Sequence, residues 1–170
     1  AKNRFGWLLA TILGGIFAAE IIGSFEATLT SVAVLAGFIP VIMGMGGNVG
    51  IQSATVAVRG LATGHVQIAG TLPFIYREAR VGLILGVSYA LILTIYGVLR
   101  YSNEPMIGVS IGVSIMLAIS LASVLGASIP VALERLGVDP AIATGPFVTT
   151  AVDVLGIIIY FNVAQILLGL

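Results

Sequence analysis

Pro40-Val41-Ile42-Met43-Gly44-Met45-Gly46-Gly47-Asn48-Val49-Gly50-Ile51-Gln52 lies inside an apolar run, from about residue 27 to 58, that is long enough to cross a bilayer. Proline removes a backbone donor, and four glycines among the seven residues 44–50 weaken the helix further. In lipid an unsatisfied backbone group is costly, so an interrupted helix survives only against protein or beside a watery cavity. Asn48 and Gln52, four residues apart, share one face of the expected break. The combination reads as a pore or binding segment at membrane depth. The simpler reading is a kinked helix whose glycines permit close helix packing.

Composition agrees with a membrane setting. Of 170 residues, 59% are hydrophobic and only 8% charged, and the mean hydropathy is +1.17. A soluble domain of this size cannot hide that much apolar surface. The absence of cysteine excludes disulfides and thiolate metal sites. The net charge is zero, and the few basic residues are scattered, so no nucleic-acid partner is expected. The chain opens on Ala1 with no signal-peptide architecture, and it reads as the membrane domain of a longer protein or as a naturally short one.

The fold class expected is an all-α membrane protein with five spans, at about 5–22, 27–59, 81–99, 106–133 and 146–170. Trp7 sits where an interfacial aromatic anchor belongs. Between Gly60 and Arg80 the chain turns amphipathic, with His65, Gln67, Pro73, Tyr76, Arg77 and Glu78. Thr71 ahead of Leu72-Pro73 marks a helix start, and a short interfacial helix is expected before the third span. Arg100 to Pro105 reads as a tight polar hairpin, and Glu134 to Pro140 as the next surface return. An odd number of spans puts the termini on opposite sides. Lys2, Arg4, Arg59, Arg77, Arg80 and Arg135 then share one side, leaving only Arg100 on the other. By the positive-inside rule the N-terminus is cytoplasmic and the C-terminus extracytoplasmic. Pairs at GxxxG spacing (Gly46/Gly50, Gly82/Gly86, Gly108/Gly112) suit close helix contacts.

One residue is out of place in hydrocarbon. Asp153 is the only aspartate within any expected span. An ionised carboxylate there costs at least a few kcal/mol even on lenient scales, roughly 2.5 or more, so it should face protein, water or a cation. Thr149 and Gly145 lie four and eight residues earlier on nearly the same face, and Gly156 leaves room one turn later. Such a stripe suits a hydrophilic pore wall. The competing reading is a buried aspartate satisfied by a hydroxyl or amide elsewhere. Glu20 is a weaker candidate, since an acid near a helix end can snorkel to the interface.

Gly44-Met45-Gly46-Gly47-Asn48-Val49-Gly50-Ile51-Gln52-Ser53-Ala54-Thr55 behind Pro40 resembles the second transmembrane helix of the MgtE magnesium channels. Pro146 to Tyr160, with Asp153 and Gly156 between, resembles their fifth, and Arg135 to Ala141 their cytoplasmic loop. The resemblance covers essentially all five spans. It implies a homodimer with one pore at the subunit interface, lined by the second and fifth helices. Asp153 of both subunits would hold a hydrated Mg2+, with the Thr149 carbonyl one turn earlier and the Gly145 level below. Gly44, Gly47 and Asn48 would form the filter, with Gln52 and Gly156 along the pore wall. The family pattern often carries Asn where this chain has Gly145, which removes a side-chain contact at that level. The resemblance also implies a regulatory portion of cytoplasmic N-terminal and CBS domains, which are expected to lie outside this stretch of sequence or to be missing from a shortened member.

The implied function is a magnesium-selective channel domain of the cell (inner) membrane, passing hydrated Mg2+ down its electrochemical gradient. Other divalent cations are candidate cargo, and no enzymatic role is expected. Magnesium gives up its octahedral water shell reluctantly, so a pore does better to grip the shell than to strip it. The alternative is a proton- or sodium-coupled secondary transporter of divalent cations, which would also use an intramembrane acid. A non-catalytic scaffold subunit would not need Asp153.

Overall fold

The computed structural model describes residues 2–65 and 70–170. Gln67 lies outside the described residues, as do the side chains of Lys2, Arg4 and Trp7. Six α-helices follow in order: α1 (Lys2–Ser24), α2 (Glu26–Ser31), α3 (Ile39–Ala62), α4 (Thr71–Arg100), α5 (Pro105–Arg135) and α6 (Pro140–Leu168). A 3-10 helix, Ala33–Phe38, joins α2 to α3, and the described residues contain no strand. Four segments are long and apolar enough to cross a membrane: 33–62, 71–100, 105–135 and 144–168. The apolar stretch of α1, Leu8–Ser24, falls short of that length.

The helix break is not where the glycines suggest. α3 runs unbroken from Ile39 to Ala62 through Gly44, Gly46, Gly47 and Gly50. Pro40 sits in its first turn, where the missing donor would be unpaired in any case. The interruption lies upstream at Val32, whose φ of −135° and ψ of 76° separate α2 from the 3-10 helix. Glycine weakens a helix chiefly by exposing its backbone to water and by its entropy when unfolded. Here the buried face of α3 packs on α6, so those glycines serve contact instead of fracture.

Other boundaries also shift. The short interfacial helix expected before the third span is instead the first turns of a continuous 30-residue α4 starting at Thr71. α6 begins at Pro140, not Pro146, because Asp139 caps it: its Oδ1 accepts the Ala141 N–H at 2.9 Å. Pro146 therefore lies inside the helix. Gly137, at φ 72°, makes the left-handed turn between α5 and α6.

α5 is the spine. It packs on α3, α4 and α6, whereas α3 and α4 scarcely touch each other and α1 leans on α6. Small residues let the spine fit. A Cβ on Gly97 would overlap the Gly108 backbone, and one on Gly126 would overlap the Gly50 carbonyl. Gly82 and Gly86 face Ser123 and the Met116 carbonyl of α5, so the α4 pair serves contact within the subunit. Ser123 donates to the Glu78 carbonyl at 2.7 Å and lies 3.0 Å from the Ser53 hydroxyl, tying α3, α4 and α5 at one level. Ser114 and Ser120 bond back to the carbonyls four residues earlier, each at 2.7 Å.

The larger core cluster gathers Leu35, Phe38 and Ile42 with Ile111, Ile115, Ile157, Tyr160 and Phe161. Tyr160 is fully buried, and its hydroxyl donates to the Leu35 carbonyl at 2.8 Å. Gln165 Nε2 donates to Thr28 Oγ1 at 2.9 Å, and Phe161 stacks on Phe25 at 4.7 Å. The C-terminal half of α6 thus holds the irregular segment ahead of α3. A second cluster of Ala54, Ala122, Val148 and Val152 seals α3, α5 and α6 lower down.

Candidate functional site

α3 carries two faces with opposite duties. Gly46, Val49, Gly50, Ser53 and Ala54 are buried in the bundle, while Gly44, Asn48 and Gln52 are exposed, and Gly47 is half-buried. Helical spacing accounts for the division, since 44, 47/48 and 51/52 repeat every three to four residues. On the buried face, a Cβ at Gly50 would stand 3.0 Å from Val148 Cγ1, and one at Gly46 would stand 2.9 Å from Val152 Cγ1. A Cβ at Gly44 or Gly47 would meet nothing within 4 Å.

That open face forms a cleft of about 510 Å³ with α6. It is lined by Gly44, Gly47, Asn48 and Gln52 of α3 and by Thr149 and Asp153 of α6, with Met43 and Ile51 completing the wall. Two motifs a hundred residues apart in the chain therefore meet at one place. Asp153 lies nine residues into the apolar segment 144–168, about 14 Å along it at 1.5 Å per residue. Among the described residues no hydrogen bond or ion pair reaches its carboxylate. The satisfied-aspartate alternative has no partner to offer. Thr149, one turn earlier, donates to the Gly145 carbonyl at 3.0 Å and lies 3.3 Å from that of Pro146. Its hydroxyl oxygen keeps acceptor capacity.

Gly145 is not in this cleft. It lines a second one, of about 370 Å³, with Thr55, Val58, Arg59 and Thr144. Ile51 borders both, so the two follow one another along a single α3–α6 groove toward the end bearing Arg59. Gly156 is not brought into either. It is buried, and a Cβ there would point at Ile42 Cγ2, 3.7 Å away, inside the bundle. The reason is rotation: three residues beyond Asp153 is 300° around the helix, enough to turn from groove to core. Glu20 is exposed on α1, away from the groove lining. Sequence reasoning missed Met43, Ile51, Thr55 and Arg59 as groove residues. Extending the Asn48–Gln52 spacing one and then two turns toward the C-terminal end of α3 reaches Thr55 and Arg59.

No group of three or more His, Asp or Glu side chains able to hold a bare metal ion occurs among the described residues. One carboxylate per chain, facing an open groove with glycines and amides opposite, suits a cation that keeps its water. The family model for the MgtE divalent cation transporter matches residues 39–163, spanning α3 through most of α6. The chain belongs to the MgtE family. Magnesium transporter MgtE of Thermus thermophilus is 39% identical over 165 residues, 97% of this chain. Its namesakes from Bacillus subtilis and Enterococcus faecalis are 35% and 37% identical over 96% and 97% of the chain. The chain spans 36% of the length of each of these MgtE relatives.

Proposed function

We propose that this chain is the pore domain of a magnesium-selective channel, with two copies facing each other across their α3–α6 grooves. The observation that carries the reading is the Asp153 carboxylate, unpartnered among the described residues at membrane depth, in an open cleft with the glycine face of α3. A groove that exposes Asn48, Gln52 and a carboxylate cannot face lipid without cost, so water and a second copy are its natural cover. Size supports hydrated cargo. Six waters at about 30 Å³ each need about 180 Å³, and the cleft offers about 510 Å³. The relatives are named as magnesium transporters.

In this reading Asp153 of both copies accepts hydrogen bonds from ion-bound water, and the Thr149 level contributes further oxygen. Two facing carboxylates repel, and a divalent ion between them relieves that repulsion more fully than a monovalent one. Gly44 and Gly47 leave room for the water shell beside Asn48. α1 supplies the fifth span, since its full 23 residues extend about 35 Å. The N-terminus is then cytoplasmic in the inner membrane, and Arg59, Arg77, Arg80 and Arg135 lie on the same side. Influx of a divalent ion is driven by about 4.6 kcal/mol per 100 mV of membrane potential.

Magnesium flux and reversal potential of Asp153→Asn in liposomes test the assignment. The variant keeps the shape and removes the charge, so divalent selectivity should collapse. Unchanged selectivity would overturn the ion site. Uptake that rises with an inward proton or sodium gradient would favour a coupled transporter.

A further inference from the structure

A different cavity lies at the Arg59 end of the bundle. α3 and α4 both rest on α5 and scarcely touch each other, which leaves a gap between them. The gap is a cleft of about 680 Å³, between the last turn of α3 and the first turns of α4. Its apolar lining comes from Val56 of α3 and from Pro73 and Phe74 of α4, and the rest carries Arg59 and Arg77 together with Thr63 and His65. No carboxylate is among its lining residues. The one ion pair among the described residues, Arg77 to Glu78 at 3.5 Å, leaves the Arg77 side chain 65% exposed. Arg77 also lies over the Phe74 ring at 5.4 Å, and both side chains line the cleft. The neighbouring outer face of α4 exposes Leu72, Tyr76, Val81, Leu83 and Ile84, so the cleft opens beside a lipid-facing surface.

The Arg59 guanidinium, with no ion pair among the described residues, and the Arg77 guanidinium, mostly exposed despite its 3.5 Å contact with Glu78, stand beside apolar side chains at the end of a membrane span and match an amphiphile with a phosphate head. We propose that this cleft seats the phosphate of an anionic phospholipid, held by Arg59 and Arg77, with the glycerol and first methylenes against Val56, Pro73 and Phe74. The planar guanidinium suits phosphate oxygens better than an ammonium would. The apolar lining decides between the two sources of phosphate: a free anion would leave it wet, whereas a lipid covers it. The site is separate from Asp153 and does not rest on the ion reading. It nevertheless adjoins the ion groove, because Arg59 lines both the lipid cleft and the cleft holding Gly145.

The test is a titration of the detergent-solubilised full chain with phosphatidylglycerol, and in parallel with phosphatidylcholine. Lost attraction of about fivefold per arginine predicts binding about thirty-fold weaker in R59Q/R77Q, with about fivefold in each single variant. R100Q, at the opposite end of the bundle, should bind as the parent does, and R59K/R77K should keep most of the affinity. Phosphatidylcholine should bind more weakly than phosphatidylglycerol, and millimolar glycerol phosphate should not displace the lipid. Equal phosphatidylglycerol affinity in parent and in both single variants would overturn the proposal. So would displacement by glycerol phosphate, which would mark a soluble-anion site.

Discussion

Replacing Gly47 and Gly50 by valine, each alone, separates the two faces of α3 most sharply. The residues are three positions apart in one helix, with similar local backbone, yet the surroundings differ. At Gly50 the new Cβ would stand 3.0 Å from Val148 Cγ1, 3.2 Å from Val152 Cγ2 and 3.5 Å from the Ala122 carbonyl oxygen. Two further methyls must then enter a seam closed on the other side by Gly126, where α5 already touches the Gly50 carbonyl. Overpacking of this kind costs about 1–3 kcal/mol. For a chain of this length that lowers the unfolding midpoint by roughly 2–12 °C. At Gly47 nothing lies within 4 Å, so stability should hold within about 0.5 kcal/mol. The added carbons fill the groove beside Asn48 instead. If a hydrated ion passes there, flux should fall by about tenfold or more, equivalent to about 1.4 kcal/mol of added barrier. Thermal unfolding in detergent and magnesium uptake into liposomes measure the two effects side by side. A Gly47→Val protein as destabilised as Gly50→Val, or one that is stable and conducts normally, would refute the assignment of faces.

The remaining expectations concern the acid, the strap and the assembly. Asp153→Glu should also lose conduction, because the extra methylene pushes the carboxylate into space the hydrated ion needs; normal flux in this variant would argue against a size-matched site. Tyr160→Phe removes the 2.8 Å bond to the buried Leu35 carbonyl and should cost about 1 kcal/mol, read as a lower unfolding midpoint with wild-type helix content. An unchanged midpoint would mean that the α6 strap does not hold the segment ahead of α3. In lipid nanodiscs the conducting particle should have the mass of two chains, and a monomer of full activity would remove the interface pore.

The residues alone decided the membrane setting, because an apolar fraction of 59% leaves no soluble alternative. They also singled out Asp153, since a charge in hydrocarbon needs a reason wherever it lies. The helical repeat of Gly44, Asn48 and Gln52 placed those residues on one face, and that face lines the cleft. What the chain could not disclose was which glycines face the groove and which face α6. Glycine has no side chain to carry a hydrophobic pattern, so Gly46 and Gly47 look alike until Val152 is found against one and open space beside the other. The same ignorance put the helix break at the glycines, when packing on α6 keeps α3 whole and the interruption falls at Val32. Gly156 leaves its room inside the bundle, beside Ile42 and Ala118, and not along the groove. Periodicity is a property of one helix, whereas a groove is a property of two. Only the packing of α3 and α6 on α5 could bring Asp153 to the glycine face and leave Arg59 between two clefts.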